Sequence, residues 1–300
     1  MGITGQLIDI GDTQLHVVER GQGLPLLILH GGPGLDHTMF GSYLDALADR
    51  CRLLLVDQRG QGRSGPSVSA TWTIEQMAAD VSALAAALHL DRYAVLGHSF
   101  GAFVALQHAV DFSGGAAASI ISSGVPSERF LMSFVEANLA AFEPVAMREQ
   151  VAGSWEREKT AASSDEVLEL LGDQLPFHFA DPLDARIDAM RAELAHGAYS
   201  PDVLRHFASA GYGGIELEDR LAEVRHPVLV LAGRQDRTCS VAAAEAIAAG
   251  IPGAQLTVFE QAGHMTFVEE NAPYIRSVTD FLGRHGLISS QDAASSAQHP

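Results

Sequence analysis

Residues 93–110 read Tyr93-Ala94-Val95-Leu96-Gly97-His98-Ser99-Phe100-Gly101-Ala102-Phe103-Val104-Ala105-Leu106-Gln107-His108-Ala109-Val110, an apolar run, a G-x-S-x-G pentapeptide and a second apolar stretch without interruption. Tyr93 to Leu96 is too short for a helix and reads as a buried strand, whereas Ala102 to Val110 carries a helical pattern. A serine on so tight a strand-to-helix turn sits in strained backbone geometry, and flanking glycines let neighbouring backbone approach without a Cβ clash. The helix that starts there aims backbone N–H groups at developing negative charge. G-x-S-x-G by itself recurs by chance; its place after a strand makes Ser99 the candidate nucleophile.

Working outward, short apolar runs recur at Pro25 to Leu29, Arg52 to Val56 and Ala117 to Ile121, and an opening pair, Gln6 to Ile10 and Gln14 to Glu19, flanks a Gly11-Asp12 turn. Helical spacing over Asp36 to Asp49 and Thr73 to His89, the latter capped by Thr71 or Thr73, separates several of them. From about Val125 to Leu221 the alternation stops, and charged amphipathic segments punctuated by Pro144, Pro176, Pro182 and Pro201 take its place. Strands return at Pro227 to Leu231 and Gln255 to Phe259, with helices near Val241 to Ala249 and Pro273 to Arg284. The expectation is an α/β fold with a mostly parallel, doubly wound sheet and a helical cap inserted after the sixth strand. Residues 1–124 and 223–286 would form the core, 125–222 the cap and 287–300 a tail with too little apolar content to pack.

A serine hydroxyl needs a histidine base, and the base needs a carboxylate to fix its tautomer. Asp236 follows the strand Pro227 to Leu231, and His264 follows the strand Gln255 to Phe259. Parallel strands bring such ends to one sheet edge, where open α/β proteins build their sites. Upstream, His30-Gly31-Gly32-Pro33-Gly34 follows another strand. The amides of Gly32 and Phe100 are the expected oxyanion hole. His98 and His30 are expected to pack and to order loops. Asp57-Gln58-Arg59-Gly60-Gln61-Gly62-Arg63-Ser64 lacks the lysine and spacing of a phosphate loop and reads as a polar loop held by Asp57 and Arg59.

The chain has 37 acidic against 19 basic side chains, a formal charge of −18, which repels phosphate backbones and anionic lipid, so neither nucleic acid nor membrane is an expected partner. Two cysteines, Cys51 and Cys239, make no disulfide framework. Asp9, Asp12 and Glu19 interrupt the N-terminal segment before any signal-length apolar run, so a cytoplasmic location is expected. No H-E-x-x-H or similar cluster supports a metal, and no cofactor is expected.

HGGPG together with DQRGQGRS resembles the α/β-hydrolase superfamily, and within it the proline iminopeptidase group, over about Gln6 to Arg284. The resemblance implies Ser99, Asp236 and His264 as catalytic triad and release of an N-terminal residue from a small peptide or amide. It also implies acidic cap residues holding the substrate's free amine, for which Trp155-Glu156 is similar to one such position. Ser154 to Lys159 is nevertheless mostly charged, the pattern of a solvated helix surface. The elbow departs from the group's G-G-S-W-G and matches a form common in esterases and lactonases. Two alternatives therefore stand: an esterase or lactonase, and a non-catalytic ligand receptor on the same fold.

Overall fold

The computed structural model describes residues 5–289. Its strands are β1 (Gln6–Asp9), β2 (Gln14–Arg20), β3 (Leu24–Leu29), β4 (Cys51–Asp57), β5 (Ala94–His98), β6 (Ala118–Ser122), β7 (Val228–Gly233) and β8 (Gln255–Phe259). They form one sheet in the order β1-β2-β4-β3-β5-β6-β7-β8. β1 and β2 pair antiparallel, as do β2 and β4, and every later neighbour is parallel. The opening turn is as the sequence suggests: Gly11 has φ +110°, and Ile10 N–H donates to the Thr13 carbonyl at 3.0 Å.

The central strands are continuous apolar runs because both faces are covered. In β3, Leu27 and Leu29 point into a cluster with α1 (Ile74–Ala87) and α2 (Phe100–Asp111), while Leu26 and Ile28 point into a second cluster on the other face. Fully burying one such leucine stabilises the fold by about 1.5–3 kcal/mol. Thr73, not Thr71, caps α1, accepting from Gln76 N–H at 3.1 Å.

Between β6 and β7 run α3 (Met132–Ala140), α4 (Val145–Arg157), α5 (Ser164–His178), α6 (Arg186–Leu194) and α7 (Pro201–Ala208). The two ends of this insertion are tied: Glu128 N–H donates to the Ile215 carbonyl and Leu217 N–H to the Pro126 carbonyl, both at 2.9 Å. Pro144 precedes α4 and Pro201 opens α7, but Pro176 lies inside α5, near its end, rather than breaking it. α8 (Val241–Gly250) follows β7, and α9 (Thr266–Glu269) and α10 (Asn271–Arg284) follow β8.

The helix expected over Asp36 to Asp49 is instead two short 3-10 turns, His37–Phe40 and Asp45–Asp49. Gly41, at φ +46°, ends the first turn and redirects the chain. The expected tail begins differently too, since Leu287 and Ile288 pack against the second cluster. Residues 290–300 of that tail fall outside the described residues. Among the described residues, no helix is long and apolar enough to cross a membrane.

Candidate active site

Ser99 is the residue between β5 and α2, with φ +55° and ψ −121°. A non-glycine residue in that region stores on the order of 1–3 kcal/mol of strain, so the surroundings must enforce it. They do so through two glycines. A Cβ on Gly97 would lie 2.0 Å from the Gly101 carbonyl oxygen, and one on Gly101 would lie 2.3 Å from that of Leu29. The turn is thus jammed against β3, and the serine is pushed out to a cavity that His264 also lines.

The sheet register brings the other two residues alongside. Asp236 follows β7 and is buried; its Oδ1 accepts from the backbone N–H of Thr238 at 2.7 Å and of Cys239 at 2.9 Å. Its Oδ2 faces His264 Nδ1 at 2.8 Å. An ionised carboxylate only accepts, so with Nδ1 donating to it Nε2 is left as an acceptor. Ser123 Oγ donates to the His264 carbonyl at 3.1 Å, fixing the loop from below. Among the described residues no hydrogen bond joins Ser99 Oγ to His264, and such contacts commonly tighten only when substrate is bound.

Gly32 and Phe100 both line the cavity. In the HGGPG loop, Gly31 N–H donates to Met39 Sδ at 3.0 Å and Gly34 N–H to Gln61 Oε1 at 2.6 Å. Gly32 N–H has no protein acceptor among the described residues, and Phe100 N–H, in the first turn of α2, likewise has none. Both residues thus border the cavity with a backbone amide that has no protein acceptor among the described residues.

The loop residues singled out as structural form a scaffold beneath. Asp57 accepts from His37 Nδ1 at 2.6 Å, His37 N–H at 2.9 Å, His16 Nδ1 at 3.0 Å and Arg63 N–H at 2.9 Å. Its acceptor positions are filled, and burial is outweighed by these donors, so its carboxyl lies far below the usual range. Arg59 forks onto Asp80 at 2.6 and 2.7 Å and onto Asp12 at 2.8 and 2.9 Å. His30 Nε2 accepts from Gln58 N–H at 3.1 Å, so its Nδ1 donates to the Gly31 carbonyl at 2.7 Å. His98 is buried, with Nδ1 3.2 Å from Ser122 Oγ.

The structure corrects one expected contact. Glu156 does not reach the cavity; its side chain is 78% exposed and pairs with Lys159 at 3.3 Å. Trp155 does line the cavity, and the acidic residue beside it there is Glu158. Val151, Ser154, Trp155 and Glu158 are spaced i, i+3, i+4, i+7 and form the inward stripe of α4, which turns Glu156 outward. That spacing is visible in the sequence. Glu158 is only 6% exposed, and burial raises its carboxyl to about 7. Gln174 Nε2 donates to it at 2.6 Å, and Tyr212 OH donates to its other oxygen. Phe177 and Phe179 are fully buried and pack cores, as most helical aromatics do, whereas the cavity of about 960 Å³, open mouth included, is lined chiefly by Leu, Met, Val and Phe.

A family profile described as the alpha/beta hydrolase fold matches residues 25–271. The chain is 26% identical over 295 residues to the proline iminopeptidase of Lactobacillus delbrueckii subsp. bulgaricus, covering 94% of this chain and 98% of that one. Among solved structures it is similar to the proline iminopeptidase of Mycobacterium smegmatis, with TM-score 0.74 and 23% identity over 95% of this chain and 99% of that one. It is also similar to an esterase from Exiguobacterium antarcticum, with TM-score 0.73 and 22% identity over 93% and 99% of the two chains. At such identities the solved structures speak to fold alone, while the profile spans most of the chain. The eight-stranded sheet, its elbow after β5 and the matched profile agree: the chain belongs to the alpha/beta hydrolase fold family.

Proposed function

We propose that this hydrolase is a serine hydrolase with Ser99 as nucleophile, His264 as base and Asp236 as orienting acid, and that it releases an N-terminal residue from a small peptide or amide. The carrying observation is the 2.8 Å His264–Asp236 contact, which leaves Nε2 as acceptor in the same cavity as a serine on a strained turn. Ser99 Oγ attacks the carbonyl carbon as His264 takes its proton, and the amides of Gly32 and Phe100 bind the oxyanion. Collapse expels the amine with that proton, leaving an acyl-enzyme. Water, activated by the same histidine, then frees the acid and restores the serine.

In this proposal the helices between β6 and β7 cover the site as a cap. Glu158 receives the substrate's ammonium, since it is the acidic side chain among those facing the cavity. A second reading, an ester hydrolase for apolar acyl groups, is favoured by the apolar lining and by burial that makes Glu158 partly neutral near pH 7.

The experiment is a matched panel of prolyl and leucyl arylamides, their N-acetylated forms and short acyl esters, with fluorophosphonate labelling alongside. Turnover of free-amine arylamides with loss on acetylation supports the peptidase. Turnover of esters alone establishes the second reading. A protein that neither labels nor turns over any of them is a ligand receptor.

A further inference from the structure

His178 packs on the candidate base from the inserted helices, and none of the roles above uses it. α5 ends at His178, and a helix leaves its last carbonyls without intrahelical donors. The base's own backbone takes this one: His264 N–H donates to the His178 carbonyl at 2.7 Å and Met265 N–H at 3.4 Å. The His178 ring lies against the His264 ring, with centroids 5.0 Å apart and planes inclined by 34°, and it lines the cavity with Ser99. Its Nδ1 is 3.3 Å from Thr238 Oγ1, and Thr238 N–H donates to Asp236 Oδ1 at 2.7 Å. One residue therefore touches the base through its ring and its carbonyl, and the acid's loop through its nitrogen.

The segment that carries it is fastened from two sides. Arg237 donates to the carbonyls of Phe177 at 3.2 Å, Phe179 at 2.6 Å and Ala180 at 3.0 Å. Glu269 accepts from Ala180 N–H at 2.7 Å and Gly263 N–H at 2.9 Å, so one carboxyl joins the segment to the loop bearing His264. A Cβ on Gly263 would fall 2.7 Å from the His178 carbonyl oxygen, which is why glycine precedes the base. A further imidazole, His98, lies 5.0 Å from His264, centroid to centroid. Burial, with the charge on His264, holds His98 and His178 well below the usual histidine range, so both stay neutral when His264 takes a proton.

We propose that His178 is a positioning residue for His264: its ring and carbonyl hold the base imidazole against Asp236, and its bulk keeps water off the base. The proposal rests on the serine hydrolase reading above. Its test is the rate of fluorophosphonate labelling of Ser99 against pH, in wild type and in His178→Ala, His178→Phe and His178→Asn, with circular dichroism as the fold control. Labelling needs no knowledge of the substrate. His178→Ala is expected to label at least about tenfold more slowly at pH 7, with its pH midpoint raised, because water beside His264 favours the imidazolium. His178→Phe, which keeps a ring there, should recover most of the rate and the original midpoint. Should His178→Ala not fold, His178→Asn decides: it is expected to be slow with a raised midpoint, and wild-type behaviour overturns the role. An unlabelled wild type overturns the Ser99–His264 reading itself, whereas a labelled wild type with unaltered variants overturns only the role of His178.

Discussion

The strand-borne residues and those of the inserted helices are held in place by different forces. Ser99, Asp236 and His264 stand at the ends of β5, β7 and β8, where the parallel register fixes their backbone and glycine contacts leave no room for adjustment. Trp155 on α4 and Glu158 at its C-terminal end, beside α5, sit on helices whose outer faces carry exposed pairs such as Arg157 with Glu169 at 3.1 Å and Lys159 with Glu156 at 3.3 Å. Pairs of that kind contribute about 0–1 kcal/mol each, so packing of the inward stripe decides where these helices sit. The difference is one of tolerance: backbone-defined positions admit almost no change, and side-chain-defined ones can be refitted.

The sharpest way to break this contrast is at the nucleophile. Ser99→Ala is expected to lower turnover by on the order of 10⁶-fold while leaving the folded structure intact, read by product release and circular dichroism. Activity near wild type would remove Ser99 from the chemistry. Next in size, Gly101→Ala should destabilise the fold by about 3 kcal/mol in urea unfolding, since its Cβ would press to 2.3 Å on the Leu29 carbonyl.

On the helical side, Glu158→Gln should raise KM for free-amine substrates roughly tenfold to a hundredfold, the worth of one hydrogen bond to a charged group, and leave acyl esters nearly unchanged. The same substitution has a pH signature. Burial raises both Glu158 and Glu269 from 4.5 to about 7, so between those values the folded state binds protons that the unfolded chain has released. These two groups therefore each contribute stability that falls as pH rises through that window, by on the order of 2 kcal/mol, while buried histidines such as His98 and His178, held below their usual range, contribute in the opposite sense. Relative to wild type, Glu158→Gln is expected to gain on the order of 2 kcal/mol of unfolding free energy as pH rises from 5 to 7, because the falling contribution of Glu158 is absent. An unchanged slope would mean that Glu158 is as hydrated as a surface carboxyl.

The smallest expected effect is Gly153→Ala, in α4 with open space where its Cβ would go. Removing a helical glycine there should stabilise the protein by about 0.5–1 kcal/mol, a gain opposite in sign to the loss at Gly101.

Legibility followed the same division. The strands, the elbow at Ser99 and the order Ser99, Asp236, His264 were readable because a short continuous apolar run and a glycine-flanked turn are local properties. The 3-10 turns after Asp36 were not, because Gly41 and the contacts of Asp36 and Asp57 override a helical spacing. Glu158 is within reach through the i, i+3, i+4, i+7 stripe that runs to the end of α4, but its charged neighbours mask it, and the family resemblance points to Glu156, which faces outward.

From the chain alone come the fold, the elbow and the identity of the candidate triad, since each depends on residues a few positions apart or on strand ends that must share one edge. Only the tertiary structure decides that Glu158 faces the cavity and that His178 meets His264, contacts between residues 86 positions apart in the latter pair, counted from 178 to 264. Such contacts depend on how helices pack onto the sheet, and no local pattern encodes the angle at which they do so.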